Sequence, residues 1–405
     1  MNLEDRSFLL FGGKGGNGKT TSACATALYL AREKPEKKIM IVSTDPAHSI
    51  GDSFGCGVGS TITPIDGVEN LSALEIAADE EADRFREQYD HVMKKIFERG
   101  TWFDRQDIDG FFSLTLPGLD EVMAIVRIAN LVRDREFDVI IVDTAPTGHT
   151  IKLLAMPGEM NKWISVLDMM QSKHRFLAKQ FTGRYKKDDA DKFLDTMGRD
   201  LKRVRRLLRN PRHTLFIPVV IPEDLPVTET EKLLSVLKKH GISTRYIIVN
   251  RVKSGEGNCP YCSTEAVNQR QLMADIREKF SKYELCEVPA FPYEIYGLDR
   301  LSEYGEYLFD ERAEPVFQLE KYAVGSKEEP TSEPPKVNVS GTDTSFIIFG
   351  GKGGVGKTSL AAATALHLAA KHPAKKVLIF STDPAHSLTE IFDTPIGESV
   401  VQIMP

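Results

Sequence analysis

Residues 13–20 read GKGGNGKT and fit the pattern G-x-x-x-x-G-K-[ST]. Glycines in such a loop let backbone N–H groups turn inward around phosphate oxygens, while the lysine reaches the β- and γ-phosphates. The threonine hydroxyl can ligate Mg²⁺, and the helix that follows points its positive end at the phosphates. The residues expected to hold the phosphates are Gly13, Gly15, Gly16, Asn17, Gly18, Lys19, Thr20 and Thr21.

The same loop occurs a second time in the chain. Residues 346–387 repeat residues 8–49 at a constant offset of 338, with 28 of 42 positions identical. Chance does not produce such a match, so the sequence holds a duplicated nucleotide-binding unit. The duplication predicts a second set of nucleotide-binding residues, namely Gly353, Gly354, Gly356, Lys357, Thr358 and Ser359.

Two aspartates stand where magnesium-dependent phosphoryl transfer needs acidic groups. Asp143 ends the apolar stretch DVIIVD, so we expect it to bind Mg²⁺ with the hydroxyl of Thr20, whose counterpart in the repeat is Thr358. Asp45 lies in STDPAHS, just past a predicted strand, and is expected to orient or deprotonate the attacking water. Asp383 takes the matching place in the repeat. The other interpretation of Asp45 is a turn carboxylate before a proline.

The elements that must position these groups are short apolar strands alternating with helices. Stretches such as FLLF and KIMIVS are continuously apolar, as strands covered on both faces are. The predicted fold is therefore α/β, a doubly wound and mostly parallel sheet of the P-loop NTPase type. The stretches at about 70–135 and 158–210 far exceed ordinary connections of about 2–6 residues, so we expect them to form an inserted helical subdomain.

The repeat divides the chain into three parts. Residues 1–322 are predicted to form a first P-loop ATPase domain, and residues 346–405 the start of a second, incomplete one. Residues 323–345 are rich in Pro, Ser, Gly and charge, which is typical of a linker. Since a single strand–helix–strand unit leaves its apolar faces open, we expect the sequence to be a fragment of a longer protein or a truncated product.

Composition narrows the class of protein. The 405 residues carry a formal net charge of -6, which gives no general affinity for nucleic acid. Five cysteines do not make a disulfide scaffold and fit a reducing compartment. The N-terminus lacks the apolar stretch of a signal peptide, and no apolar run is long enough to span a bilayer. A cytoplasmic location is therefore expected.

The motifs together resemble those of one ATPase family. An early lysine in K-G-G-x-G-K-[ST] is the deviant Walker A signature, and STDPAHS, LPGLDE, DTAPTGHT and CPYC occur with it in the chain. This set is similar to the ArsA family, which contains arsenite pump-driving ATPases and cytosolic ATPases that target tail-anchored membrane proteins. The resemblance implies ATP and Mg²⁺ as cofactors. It also implies that Lys14 and Lys352 act across a dimer or pseudo-dimer interface, and that Asn250 and Pro292 frame the adenine.

The resemblance leaves two cargo classes open. Tandem P-loops on one chain resemble the arsenite pump ATPase, so we expect hydrolysis to energise arsenite or antimonite efflux by an integral-membrane pump. Peripheral association with the membrane through that partner is a further expectation. The alternative is a chaperone for tail-anchored membrane proteins, acting as a homodimer. Cysteine is absent from residues 116–121 and from the segment after DTAPTGHT, where pump ATPases carry it, and this favours the alternative.

Two further segments bear on the cargo. Cys259 and Cys262 of CPYC resemble the C-x-x-C of the targeting ATPases, where two copies across a dimer hold one Zn²⁺; a redox or metalloid pair and an incidental loop pair are the other interpretations. Residues 163–170, WISVLDMM, are rich in flexible and aromatic apolar side chains. Two interpretations of residues 163–170 remain: a surface that binds hydrophobic partners, or packing within the helical subdomain.

Overall fold

The computed structural model describes residues 1–3, 6–45, 49–101, 119–134, 136–145, 147–253, 260–309, 346–351, 355–382, 387–397 and 399–403. The chain divides into two compact units, Met1–Asp310 and Glu311–Pro405.

One sheet of eight strands organises the first unit. Its strands are β1 Phe8–Gly12, β2 Ile39–Ser43, β3 Thr63–Ile65, β4 Val68–Glu75, β5 Val139–Asp143, β6 Thr214–Val220, β7 Tyr246–Val252 and β8 Glu284–Pro289. They lie in the order β3-β4-β2-β5-β1-β6-β7-β8, and all neighbours are parallel except β3 and β4. The predicted doubly wound, mostly parallel α/β sheet is confirmed.

Helices cover both faces of this sheet. They are α1 Lys19–Glu33, α2 Ile50–Phe54, α3 Ala78–Gly100, α4 Leu119–Asp134, α5 Thr147–Thr182, α6 Asp189–Leu208, α7 Asp224–His240, α8 Pro260–Lys279 and α9 Gly297–Phe309. The central strands β1, β2 and β5 are buried at every position. Along β1, Leu9 and Phe11 join the core beneath α1 and α9, whereas Phe8 and Leu10 join the core beneath α4 and α7. Alternation of side chains along a strand therefore supplies both cores from one apolar run.

A third core lies among the long helices. Side chains of α3, α5 and α6, with Met123 of α4, pack together in a cluster separate from the two sheet cores. The helical insertions differ in extent from the sequence prediction. Residues 70–75 belong to β4, because this stretch pairs in parallel with β2. The second helical stretch starts earlier than residue 158, since α5 begins at Thr147.

The second unit has two helices within its described residues. Its helices are α10 Lys357–Lys371 and α11 Ser387–Phe392, and α10 starts at the residue that matches the first residue of α1. The described residues that match β1 and β2 form no strand here, and Phe346 and Ile348 are 77% and 88% exposed. Their apolar side chains lack the sheet core that buries their counterparts in the first unit.

None of the helices in the described part of the chain combines the length and the apolar character that crossing a bilayer requires.

Candidate nucleotide site

The candidate site lies at the carboxyl edge of the central strands. The loop 13–18 leaves the end of β1 and enters α1. On one side β1 pairs with β5, which ends at Asp143; β2 ends next to it, with Ser43 in register with Asp143. Since parallel strands bring their carboxyl ends to one edge, residues far apart in sequence meet around this loop.

Two glycines give the loop its shape. Gly13 has a φ of 148°, and a Cβ there would lie 2.2 Å from the carbonyl oxygen of Val219. Gly18 has a φ of 92°, and its Cβ would lie 2.3 Å from Nδ2 of Asn250. A side chain at either position would push the loop away from β6 or β7. Gly351 and Gly356, at the matching positions of the second unit, have φ values of 154° and 85°.

Two asparagines brace the same loop through hydrogen bonds. Nδ2 of Asn17 donates to the carbonyl of Val219 at 2.9 Å, and Nδ2 of Asn250 donates to the carbonyl of Asn17 at 2.9 Å. Both asparagines are buried. The backbone N–H of Arg251, a non-glycine residue at φ 60°, donates to Oδ1 of Asn250. Asn250 therefore supports the phosphate loop in this structure, and its part in framing the adenine stays a prediction.

The lysine and threonine of the loop lie on the buried side of the site. Lys19 is 5% exposed, and its Nζ lies 3.5 Å from the carbonyl oxygen of Lys14. Thr20 donates its hydroxyl to Oδ2 of Asp143 at 2.7 Å, and its Oγ1 lies 3.1 Å from Oγ of Ser49. The two residues predicted to bind Mg²⁺ together, Thr20 and Asp143, are thus in direct hydrogen-bond contact.

Asp143 has the properties of a metal-binding carboxylate. It is fully buried, and its Oδ1 makes no hydrogen bond to any described residue. Burial raises the pKa of Asp143 to about 6, although the charge of Lys19 and the hydrogen bond from Thr20 act in the opposite direction. A buried carboxylate with one oxygen unsatisfied is stabilised by a cation, so the donor set of Asp143 and Thr20 fits Mg²⁺.

The segment with Asp45 is tied to its neighbours through the backbone. The N–H of Asp45 donates to Oγ of Ser43 at 3.0 Å, and Asp45 is partly exposed. One residue earlier, the N–H of Thr44 donates to the carbonyl of Asp143 at 3.0 Å. Asp45 and Asp143 therefore extend from two chain segments that remain hydrogen-bonded beyond the ends of their strands.

Glu75 is a component of the site that the sequence prediction missed. It ends β4, is 3% exposed, and its Oε1 accepts the N–H groups of Ile50 at 2.9 Å and Gly51 at 3.1 Å. This carboxylate fixes the start of α2, shortly after Asp45 in the chain. The signal was present, because an acid ends an apolar strand here as Asp143 does.

Lys14 points away from the loop that carries it. Its Nζ lies 3.2 Å from Oε1 of Glu229 on α7, with side-chain exposures of 23% and 11%. Glu229 was also missed, and a lone glutamate within a helix gave no signal of this role. The predicted action of Lys14 across an interface requires its side chain to leave this position.

The remaining predicted residues have different outcomes. Thr21 lies in the first turn of α1, and Lys357, Thr358 and Ser359 lie in the first turn of α10. Pro292 is exposed and lies in the segment that follows β8, the strand that pairs with β7. Residues of the predicted sites that lie outside the described part are Lys352, Gly353, Gly354, Asp383 and Cys259, and the side chain of Cys262 is not described either.

The other three cysteines lie at the sheet core beneath α1. Cys24 is buried on α1, whereas Cys56 and Cys286 are partly buried and pack against the same core. Within the described residues, no group of three or more His, Cys, Asp or Glu is placed to hold a metal ion.

Comparison with known proteins identifies the family. The profile of the ArsA ATPases, described as anion-transporting ATPases, matches residues 6–310 and 344–405. The chain belongs to the ArsA ATPase family. The predicted ArsA-type ATPase class is thereby confirmed, and with it the use of ATP and Mg²⁺ expected of such an ATPase.

Individual relatives of this ArsA family member fall into two groups by length. A Halobacterium salinarum protein with the provisional name arsenical pump-driving ATPase is 30% identical over 99% of this chain, which spans 60% of that relative. An ATPase ASNA1 homolog of Dictyostelium discoideum is 31% identical over 76% of this chain and 91% of its own length. ATPase get3 of Schizosaccharomyces japonicus is 31% identical over 74% of this chain and 92% of its own length.

The buried carboxylate gives a prediction about pH. Because the pKa of Asp143 rises from 3.8 to about 6 on folding, its ionisation opposes folding as the pH increases through this window. Asp143→Asn should raise the free energy of unfolding at pH 7, without Mg²⁺ and nucleotide, by up to about 3 kcal/mol. The gain should shrink toward pH 4. Urea unfolding between pH 4 and 7 measures this, with the exposed Asp66→Asn as the control; an identical pH slope in Asp143→Asn and wild type would contradict it.

Glu75 gives a prediction about turnover. Glu75→Gln keeps one acceptor oxygen for the N–H groups of Ile50 and Gly51. Glu75→Ala removes the acceptor, and both hydrogen bonds are lost. We expect Glu75→Ala to lower ATP turnover roughly 10- to 100-fold by displacing the Asp45 segment, with Glu75→Gln near wild type. Steady-state ATPase assays and nucleotide titrations measure the rate and the ATP affinity. An equal loss in both variants would indicate a need for the charge and argue against an anchoring role.

Proposed function

We propose that the chain hydrolyses ATP to drive efflux of arsenite or antimonite through an integral-membrane pump. The observation that carries this proposal is the match to the Halobacterium salinarum relative, which extends over 99% of the chain and so includes both P-loop copies. That relative is named after an arsenical pump. The cytoplasm is the proposed location, with peripheral attachment to the membrane through the pump.

The proposed catalytic cycle assigns a task to each predicted residue. The loop from Gly13 to Thr21 holds the phosphates, and Asp143 and Thr20 hold Mg²⁺. Asp45 orients the attacking water, and Asn250 and Pro292 frame the adenine. Gly353, Gly354, Gly356, Lys357, Thr358, Ser359 and Asp383 have the matching tasks in the second unit.

Closure of two units around nucleotide is the proposed switch. In this proposal residues 1–322 form the first ATPase domain, residues 323–345 are the linker, and residues 346–405 belong to the second domain. Lys14 and Lys352 reach across the interface between two units, either tandem halves or two chains, and stabilise charge on the transferred phosphoryl group. ATP closes the units, and hydrolysis reopens them.

The trans role of Lys14 can be measured directly. Lys14→Ala should lower ATP turnover by about 100-fold or more, since it removes a cation from the transition state. The affinity for ATP should change little, because Lys19 binds the phosphates of the same unit. Steady-state assays give the rate, and equilibrium titration with a fluorescent ATP analogue gives the affinity. The surface variant Lys192→Ala serves as control, and unchanged turnover in Lys14→Ala would contradict the role.

A second candidate function is supported by one surface of α5. Val166, Met169, Phe176, Leu177 and Phe181 are exposed by 43% to 85%, and their spacing places them along one face of the helix. Within residues 163–170, Ile164 and Leu167 pack in the helical core. One face of this segment is therefore buried, and the other is exposed. An exposed apolar stripe suits capture of a hydrophobic helix, as a chaperone for tail-anchored proteins requires. In that function Cys259 and Cys262 would bind Zn²⁺ with a second chain.

One pair of assays separates the two cargo classes. If the cargo is a metalloid, antimonite should stimulate the ATPase and thiol alkylation should abolish the stimulation. If the cargo is a hydrophobic helix, the double variant Met169→Ser, Phe176→Ser should lose binding of a fluorescent transmembrane peptide, while Lys173→Ser on the same helix should keep it. A flat antimonite titration would contradict the efflux proposal. Peptide binding that the double variant leaves unchanged would contradict the chaperone proposal.

A further inference from the structure

The contact between Lys14 and Glu229 is an ion pair without a well-aligned hydrogen bond. Nζ of Lys14 lies 3.2 Å from Oε1 of Glu229. The nitrogen is itself buried, yet it makes no hydrogen bond of ordinary geometry to the described residues. Attraction between the two charges therefore holds this lysine, without the directional constraint that an aligned hydrogen bond would add.

The fold directs the lysine toward this glutamate. Gly13 is pressed against the carbonyl of Val219 at the end of β6, which places the next residue beside the segment from β6 to α7. Glu229 lies on α7 and is 8% exposed, next to the buried Thr230. The pair thus joins the phosphate loop to the helix that follows the neighbouring strand.

The two lysines of the loop are held in different ways. Nζ of Lys19 remains within the loop, near the carbonyl of Lys14. The side chain of Lys14 leaves the loop and ends at Glu229. In this conformation the charge of Lys14 is therefore neutralised by Glu229.

We propose that Glu229 is a latch that holds Lys14 within its own unit until the phosphates of a facing nucleotide replace the carboxylate. The proposal rests on the trans role given to Lys14 above. A nucleoside triphosphate carries several negative charges, whereas Glu229 carries one. Its phosphates therefore attract Lys14 more strongly than Glu229 does once closure of the two units brings them within reach. The latch lowers hydrolysis by units that have not closed and adds a barrier that closure must overcome.

The test compares two glutamates on the same helix. Glu229→Gln keeps the size and polarity of the side chain but removes its charge. Glu231→Gln is the matched control, because Glu231 pairs at the surface with Lys279 at 3.4 Å. ATP turnover is measured over a range of protein concentrations, and the affinity for an ATP analogue is measured separately. Urea unfolding midpoints report whether each variant is folded, and Glu229→Asp, with its shorter carboxylate, provides a second charged form.

The expected result is a gain in rate without a gain in affinity. Glu229→Gln should raise turnover at low protein concentration roughly fivefold, which corresponds to removing about 1 kcal/mol of opposition to closure. Glu231→Gln should equal wild type, and Glu229→Asp should lie between wild type and Glu229→Gln. The double variant Lys14→Ala, Glu229→Gln should be no faster than Lys14→Ala, because the latch acts only through the lysine.

Failure of the latch and failure of the trans role give different results. If Lys14→Ala loses turnover but Glu229→Gln matches wild type or is slower, the latch is overturned and the trans role stands. If Lys14→Ala retains full turnover, the trans role fails and the latch fails with it. A rise in the double variant equal to that in Glu229→Gln would show that Glu229 acts through another group, which also overturns the proposal.

Discussion

The site depends on one buried negative charge. Asp143 is fully enclosed at the carboxyl edge of the sheet, with one oxygen bonded to Thr20 and the other unsatisfied among the described residues. Burying a carboxylate costs free energy unless a cation or donors compensate it. Lys19, Thr20 and the fit to Mg²⁺ are best understood as that compensation. The central position of β1, between β5 and β6, is what brings the loop and the carboxylate together.

Local patterns predicted the parts of the fold that local physics determines. The glycine-rich loop, the apolar strands and the terminal Asp143 follow from residue types within short windows of sequence. Glu229 could not be predicted in this way, because its meeting with Lys14 depends on the placement of β6 beside β1. Residues 70–75 of β4 were included in a predicted helical stretch, because their pairing with β2 is a long-range contact that local sequence does not reveal. The hydrogen bond by which Asn250 braces the loop could not be predicted either, because Asn250 and Asn17 lie far apart in the sequence.

Two kinds of support hold the loop. Backbone carbonyls and asparagine amides fix the positions of Gly13, Asn17 and Gly18 through neutral hydrogen bonds and close packing. One ion pair, with Glu229, holds Lys14, the lysine that is proposed to move. Neutral hydrogen bonds within a packed interior leave unsatisfied polar groups when they break, whereas the Lys14–Glu229 contact lacks an aligned hydrogen bond that would have to be broken. The loop thus combines a rigid backbone with a side chain that can change its partner.

The hydrogen bond from Thr44 to the carbonyl of Asp143 joins the two acidic segments beyond the ends of their strands. Asp143, which is proposed to bind Mg²⁺, is thus connected through the backbone to Asp45 by this hydrogen bond and one further residue. Metal release and repositioning of the hydrolytic water would then be a single mechanical event, timed by one displacement of the chain. In the proposed cycle, the sheet edge would serve as a shared hinge for both steps.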